Sequence, residues 1–363
     1  MRTKNFIFIL CSVIIISVVL IAFGQNKPDA IQNIVSTTHQ QFRHFQDNLR
    51  DAEAKTLVAD GKYLKRLGFI QSPRLYPNDI WRNTSLPVIV TSVREGQESQ
   101  IYGLINNIAR LFPNNTLLVY DLGLNVYTQK FLLNFCNSSR CQLQSFSLSN
   151  FPSHVGKEDS HAYRPLIIQD ALQSTGAIFY IECNYRFSKH TASDKVFALF
   201  EKLVKDPQRA IVTWPMNSNN SVSSLTHKKM FEYFHTNAEN FFFLRMVSAE
   251  TLMAVNTEFV HQEIMLPWVQ CALTQDCLIP IGAQSGGCRF DKKPLYRYSG
   301  CHNYDVSALN VVLGVKNKFD YELYTYLESD ISFSKVPLEK ALSLMRECEQ
   351  NTTTETRYSD NLF

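Results

Sequence analysis

The chain has 363 residues and a formal net charge of +3 with no basic stripe, a balance that excludes nucleic acid as a partner. Its length provides one large hydrophobic core, and no internal repeat or low-complexity linker divides it.

In chain order, Arg2 and Lys4 precede an apolar run from Phe6 to Phe23, "FIFILCSVIIISVVLIAF". At about 1.5 Å per residue this run nearly spans the roughly 30 Å hydrocarbon layer of a bilayer. A cleavable signal carries a shorter apolar region and a small-x-small exit, whereas the exit here is Ala22-Phe23-Gly24-Gln25. The run therefore predicts an uncleaved transmembrane anchor over 6–23, with residues 1–5 cytoplasmic and the rest luminal, since positive charge stays inside. A cleaved signal is the alternative. Residues 24–82 are polar with a weak helical period and predict a stem; a helix over Ala52–Leu67 packed on the following domain is the other possibility. The domain itself is expected over 83–345, with a tail over 346–363.

Asn83, Asn114, Asn137, Asn219 and Asn351 each open an Asn-x-Ser/Thr acceptor triplet, which agrees with a luminal location. Nine cysteines occur, Cys11 inside the apolar run. No Cys-x-x-Cys exists and histidine is sparse near them, so disulfides are expected rather than zinc. Cys136 and Cys141 form the expected local pair; Cys288 and Cys301 pair with each other or with Cys271 or Cys277; Cys183 stays free.

Leu86 to Val93, "LPVIVTSV", is β-branched and apolar, and "SQIYGLINNIARLF" follows at helical spacing. "NTLLVYDL" is a second strand, trailed by the helix-like "VYTQKFLLNFC", and "CQLQSFSL" is a weaker third. Ala162 to Gln173 predicts a helix and Ala177 to Ile181, "AIFYI", a strand buried on both faces because it does not alternate. Beyond it come a helix near Ser193–Lys205, a strand "RAIVTW", and helices around Leu225–His235 and Thr251–Val260. Strands alternating with helices predict an α/β domain with a mainly parallel central sheet flanked by helices.

Open sheets of this kind bind ligands outside the carboxyl ends of their strands. Two of those ends carry acids, Asp121 after "LLVY" and Glu182 after "AIFYI". "DLGLNVY" holds one glycine where a dinucleotide fingerprint needs three, which excludes the usual dinucleotide oxidoreductases, and no Gly-x-Ser-x-Gly elbow exists for a serine hydrolase. A sheet that holds a nucleotide diphosphate without such a loop calls for a divalent cation, Mn2+ or Mg2+, on oxygen ligands. Glu182 and Asn184, two apart on an emerging chain, point the same way and are the candidate metal ligands. The plain alternative is a turn in which they pair with Arg164 or Arg186. Further on, His302, Asn303 and Asp305 precede "SALNVVLGV". Asp305 either caps that helix or serves in the cleft as base or acceptor-hydroxyl ligand, with His302 as a metal or phosphate contact.

Together the anchor, the stem, "LPVIVTSV", "LLVYDLGL", "AYRPLIIQDAL", "AIFYIECNYRF", "LPWVQCALTQDCLIPIGA" and "CHNYDVSALNVVL" resemble a family of type II membrane proteins abundant in nematodes. Its luminal domain is similar to nucleotide-sugar glycosyltransferases of the GT-A kind. The resemblance covers roughly residues 86–315. Where that family has an Asp-containing triplet, this chain has Glu182-Cys183-Asn184; where it has Cys-His-Arg-Tyr-Asp-Gln-Ser-Ala, this chain keeps Cys301, His302, Tyr304, Asp305, Ser307 and Ala308 but carries Asn303 and Val306. The resemblance implies a GT-A-like fold and a Golgi transferase that moves a sugar from a nucleotide sugar to a glycan or protein hydroxyl. Asp305 would be catalytic, Asp121, Arg164 and His302 substrate-binding, and Glu182 and Asn184 would hold the ion. The alternative is a catalytically silent luminal or surface binding protein that keeps the fold.

Overall fold

The computed structural model describes residues 13–18, 55–70, 72–77, 85–191, 193–216, 218–290 and 296–346. The chain divides into a unit ending at Lys55 and a compact unit from Thr56 to Phe363. Of the apolar run over 6–23, only 13–18 are described, as helix with exposed side chains. No helix among the described residues is long and apolar enough to cross a membrane. In the stretch expected as stem, Leu67 is fully buried, and Leu57, Tyr63, Leu64, Phe69 and Tyr76 pack against the core around the short helix α1 (Gly61–Arg66).

Strands β1 (Val88–Val93), β2 (Leu117–Asp121) and β4 (Ala177–Ile181) are buried at every position, as β-branched and aromatic runs are in a sheet covered on both faces. With β3 (Cys141–Ser145), β6 (Ile211–Pro215) and β7 (Val247–Val255) they form one six-stranded sheet in the order β3-β2-β1-β4-β7-β6. The pairs β1–β2, β1–β4 and β2–β3 are parallel, while β7 runs antiparallel to both β4 and β6, so β7 alone opposes the common direction. A second, two-stranded sheet pairs β5 (Tyr185–Phe187) with β8 (Phe333–Lys335).

Helices cover the sheet. In α2 (Glu98–Leu111), Ile101, Leu104, Ile105 and Ile108 recur at helical spacing and are buried. After α3 (Val126–Leu133), helix α4 (Tyr163–Thr175) is buried on most of its surface and ends at Gly176, whose φ of 85° is the left-handed geometry that glycine provides at a helix end. The peripheral helices are α5 (Ser193–Lys205) and α6 (Lys228–Tyr233); α7 (Leu266–Leu273), α8 (Gln275–Leu278) and the nearly encased α9 (Tyr304–Lys316) close the far side.

The helix expected over Thr251–Val260 is instead the last half of strand β7, followed by a π-helical segment, Val260–Met265. Leu252, Met253 and Ala254 favour helix locally, but all three are fully buried between β4 and β6, and the sheet's pairing overrides propensity. Disulfides join Cys136 to Cys141, Cys271 to Cys277 and Cys288 to Cys301, and Cys183 is the free cysteine among the described residues.

Candidate functional site

A cleft of about 300 Å³ opens at the carboxyl edge of β4, lined by residues from the turn before α4, the start of β7, the start of α9 and β8. Because β7 is antiparallel to β4 and longer, its first residues run on past the carboxyl end of β4: Thr251 pairs with Ile181, and the Glu182 amide donates to the Glu250 carbonyl at 3.0 Å.

Arg164, in the first turn of α4, is the centre of this edge. Its side chain is 1% exposed. Nε and Nη2 both donate to Glu182 Oε1 at 2.9 Å, and Nη1 donates to Asp305 Oδ2. Glu182 Oε1 also accepts from the Tyr180 hydroxyl at 2.9 Å. Tyr180 and Glu182 are two apart, so they share a face of the emerging strand. Burial works against the charge on Arg164, yet Asp305 and then Glu182 outweigh it and hold the guanidinium protonated. Of the two pairings open in the sequence, Arg164 takes Glu182. Arg186 turns to backbone instead, donating to the carbonyls of Cys183 at 2.8 Å, Tyr185 at 2.6 Å and Gln100 at 2.7 Å. Its fork lies so close to Gly103 that a Cβ there would overlap Nη2.

Asp305 stands in the first turn of α9, beyond the cap position, which Asn303 holds without a side-chain cap bond. One carboxylate oxygen belongs to Arg164; the other, Oδ1, is buried without a partner and the residue lines the cleft. Burial pushes this carboxyl up to about 7, against the opposing pull of Arg164. The Trp268 indole donates to the Asp305 carbonyl at 3.0 Å and fixes the turn from below.

His302 is held by backbone at both ring nitrogens. Nδ1 accepts from the His227 amide at 3.1 Å, which leaves Nε2 carrying the proton that it donates to the Leu278 carbonyl at 3.0 Å. Burial holds the ring neutral, with its pKa down at about 4. The ring forms part of the cleft wall but has neither lone pair nor proton to give a metal or phosphate. Asp121 is likewise engaged: Oδ1 accepts from the amides of Gly123 and Leu124 at 2.9 and 2.7 Å, Oδ2 from Gln129 Nε2 at 2.7 Å. It shapes the loop after β2 and does not line the cleft. The structure thus brings Arg164, Glu182, Asp305 and His302 to one place and leaves Asp121 outside it.

Asn184 sits in the turn between β4 and β5. Its carbonyl accepts from the Val336 amide at 2.7 Å, and its side-chain oxygen is buried without a partner. As a metal seat the pair Glu182 and Asn184 fits poorly: it offers a single carboxylate, whose Oε1 already takes two bonds from a guanidinium, and one neutral amide oxygen. Among the described residues no group of three His, Cys, Asp or Glu side chains is arranged to hold an ion.

Several cleft residues escaped the sequence. Glu250 accepts from the Tyr185 hydroxyl at 2.6 Å and pairs with Lys335 at 2.8 Å; despite partial burial, Arg164 and Lys335 hold its carboxyl below the usual range. An acid inside the otherwise apolar "SAETLMAV" was the available signal. His161 and Tyr304, both lining the cleft, hold left-handed backbone at φ of 47° and 42°. Such conformations cost side-chain-bearing residues on the order of 1–3 kcal/mol each and cluster at functional sites.

A family model described as "Protein of unknown function (DUF1647)" matches residues 56–169. No curated protein matches. Among solved structures, the mannosyltransferase Ktr4p from S. cerevisiae is 12% identical with a TM-score of 0.41, covering 80% of this chain and 85% of its own. Core-mannan synthase A from Aspergillus fumigatus, in its Mn/GDP form, is 10% identical with a TM-score of 0.37, covering 72% and 77%. The galactosyltransferase LgtC, with donor and acceptor sugar analogs, is 9% identical with a TM-score of 0.36, covering 68% and 86%. Likeness at this level says nothing of this chain's chemistry, which rests on its own residues.

Proposed function

We propose that this protein is a glycosyltransferase that binds a nucleotide sugar at the carboxyl edge of its sheet and transfers the sugar to a hydroxyl of a glycan or protein. The observation that carries this is Asp305. A wholly buried carboxyl with one oxygen fixed by Arg164, the other unpartnered at a cleft wall, and a pKa near 7 is matched to accept a proton from an alcohol. As the hydroxyl oxygen bonds to the anomeric carbon and the nucleoside diphosphate departs, the proton passes to Oδ1. The cleft suits a polyhydroxylated group, with Ser248, Ser285, Asn303 and Tyr304 offering hydrogen bonds and Glu250 a fixed acceptor. Arg164 and Glu182 position Asp305 and touch the substrate only through it.

In this proposal the chain works in the secretory pathway, in the Golgi, as a single-pass type II membrane protein. The apolar run with Arg2 and Lys4 before it supports the anchor. Three disulfides and the exposure of Asn114, Asn137 and Asn219 support a luminal domain.

One observation favours the second reading, a silent binding protein: Arg164 consumes the acid of the Glu182-Cys183-Asn184 triplet. Incubation of the full-length chain with a panel of nucleotide sugars and glycan acceptors, followed by release of nucleoside diphosphate, separates the two. Transfer by the wild type, lowered roughly 100-fold or more in Asp305→Asn with donor binding retained, is the expected result. Donor binding with no transfer by the wild type establishes the silent reading.

A further inference from the structure

From β1 the chain steps outward to β2 and β3, then returns to place β4 on the other side of β1. The loops that leave β1 and β4 therefore diverge, and the crevice between such loops is where open α/β sheets take their ligands. Glu182 stands on the β4 lip of this crevice. On the β1 lip stands Arg94, the first residue after the strand.

Its surroundings are unusual for an arginine. The backbone amide donates to Gln97 Oε1 at 2.9 Å, and the guanidinium lies over the Tyr163 ring, 4.3 Å from its centroid. Nε and Nη2 are both buried, and neither meets an acceptor among the described residues. The carboxylates that stand at this edge are taken: Glu182 and Asp305 by Arg164, Glu250 by Lys335 and Tyr185. Arg94 as a whole is half-buried, but buried N–H groups on a charged side chain that lack acceptors carry a desolvation cost, which an anion at this fork would offset. Directly beside it, the first turn of α4 has no side-chain cap. The Arg164 amide there donates to the His161 carbonyl at 2.9 Å and Pro165 has no N–H to give, so the call for an anion rests on the Arg94 side chain. Tyr163 in turn meets His161 Nδ1 at 3.1 Å, and His161 lines the cleft, so the anion position adjoins the place where the sugar would lie.

We propose that Arg94 is a phosphate-binding residue, presenting Nε and Nη2 as a planar fork to the diphosphate of the nucleotide sugar. A guanidinium with two parallel donors matches a phosphate bidentately, which an ammonium cannot do. Naming the ligand a nucleotide diphosphate rests on the transferase reading; the requirement for an oxyanion rests on Arg94 alone. The assignment also supplies the positive charge that the Glu182 and Asn184 pair does not provide through a metal.

The test is titration calorimetry of the full-length chain in detergent, with chelator present, against inorganic pyrophosphate, uridine and guanosine diphosphates, and the uncharged nucleosides. The wild type is expected to bind pyrophosphate and one of the diphosphates. Arg94→Gln should lower both affinities by about tenfold to a hundredfold, the worth of one charge-assisted contact, and leave nucleoside binding alone. Arg94→Lys keeps the charge over Tyr163 and the melting temperature but loses the fork, and should recover only part of the affinity. Equal pyrophosphate affinity in wild type and either variant, or no pyrophosphate binding by the wild type, overturns the assignment. Pyrophosphate binding that depends on Arg94 in a protein without transfer activity would leave the anion site standing and remove the transferase. Sugar transfer with an unchanged donor KM in Arg94→Gln would do the reverse.

Discussion

Replacing Arg164 by Met keeps the linear stem and removes the guanidinium, and the structure sets the size of the effect. Two carboxylates lose their cation at once: Glu182 Oε1 loses the bonds from Nε and Nη2, and Asp305 Oδ2 loses that from Nη1. Breaking a buried ion pair from one side costs roughly 3–5 kcal/mol, because an uncompensated charge remains behind. Asp305 relieves part of this by taking up a proton, since its carboxyl is already raised to about 7 with the arginine present. Glu182 keeps only its bond from Tyr180. The loss should therefore be greater at pH 8 than at pH 5: the Asp305 carboxyl, already raised to about 7, would titrate higher still in the folded variant than in the unfolded chain, and such a group withdraws stability as pH rises. Urea unfolding of wild type and Arg164→Met at the two pH values measures it directly. Adding Glu182→Gln and Asp305→Asn to the Met variant removes the stranded charges and should restore most of the loss, a coupling that independent sites would not show. A loss below about 1 kcal/mol at pH 8, or no recovery in the triple variant, would refute the account of these three residues as one charged unit.

Three further outcomes follow from the same geometry. Nucleoside diphosphate affinity should be unchanged, within about twofold, when manganese is replaced by chelator, because Glu182 is neutralised by Arg164; an affinity more than tenfold lower in chelator would restore the triplet as a metal seat. Asp305, at about 7 against an ordinary 3.8, lends the fold stability below pH 4 that is lost as pH rises toward 7, and Asp305→Asn should flatten that segment of the stability curve; an unflattened curve places the titration elsewhere. Enzymatic removal of N-glycans should lower the mass of the full-length protein made in a secretory host, through Asn114, Asn137 and Asn219, and no change in mass would sink the luminal topology.

The parallel half of the sheet was legible because its strands are β-branched, apolar and spaced by amphipathic helices, and each of those signals is local. Strand β7 was not, because Leu252, Met253 and Ala254 carry no β signal of their own and become a strand only by lying between two others. The site divides in the same way. That Glu182 lies at a strand end could be read directly, but which arginine it meets could not: Arg186 is nearer in sequence, yet Arg164, 18 residues upstream, wins. Only the packing of α4 beside β4 decides that. The partnership of Arg164 with Asp305 spans 141 residues and had no trace in the spacing. The engagement of the His302 ring had no local signal for a related reason, since its two backbone partners come from the α6 cap and the end of α8, neither adjacent to it in the chain. Arg94 has no local signal of its own, lying in a polar break between a strand and a helix.

Pairing, rather than the count of charges, distinguishes the groups at this edge. Arg164 is matched by Glu182 and Asp305, Lys335 by Glu250, and Arg186 by three backbone carbonyls. Among the charged side chains described at this edge, what remains unmatched is one pair of buried donors on Arg94 and one buried oxygen on Asp305, beside the neutral amide oxygen of Asn184. Each carries a desolvation cost that the fold alone does not offset, and they are opposite in kind: one calls for an anion, the other for a proton donor. Under the proposed function a nucleotide sugar and an alcohol would supply both at once, the diphosphate to the fork and the hydroxyl to the carboxylate. A protein that bound only a nucleotide would leave the Asp305 oxygen as exposed to that cost as before. The two orphan groups together, more than either alone, therefore weigh toward transfer over simple binding.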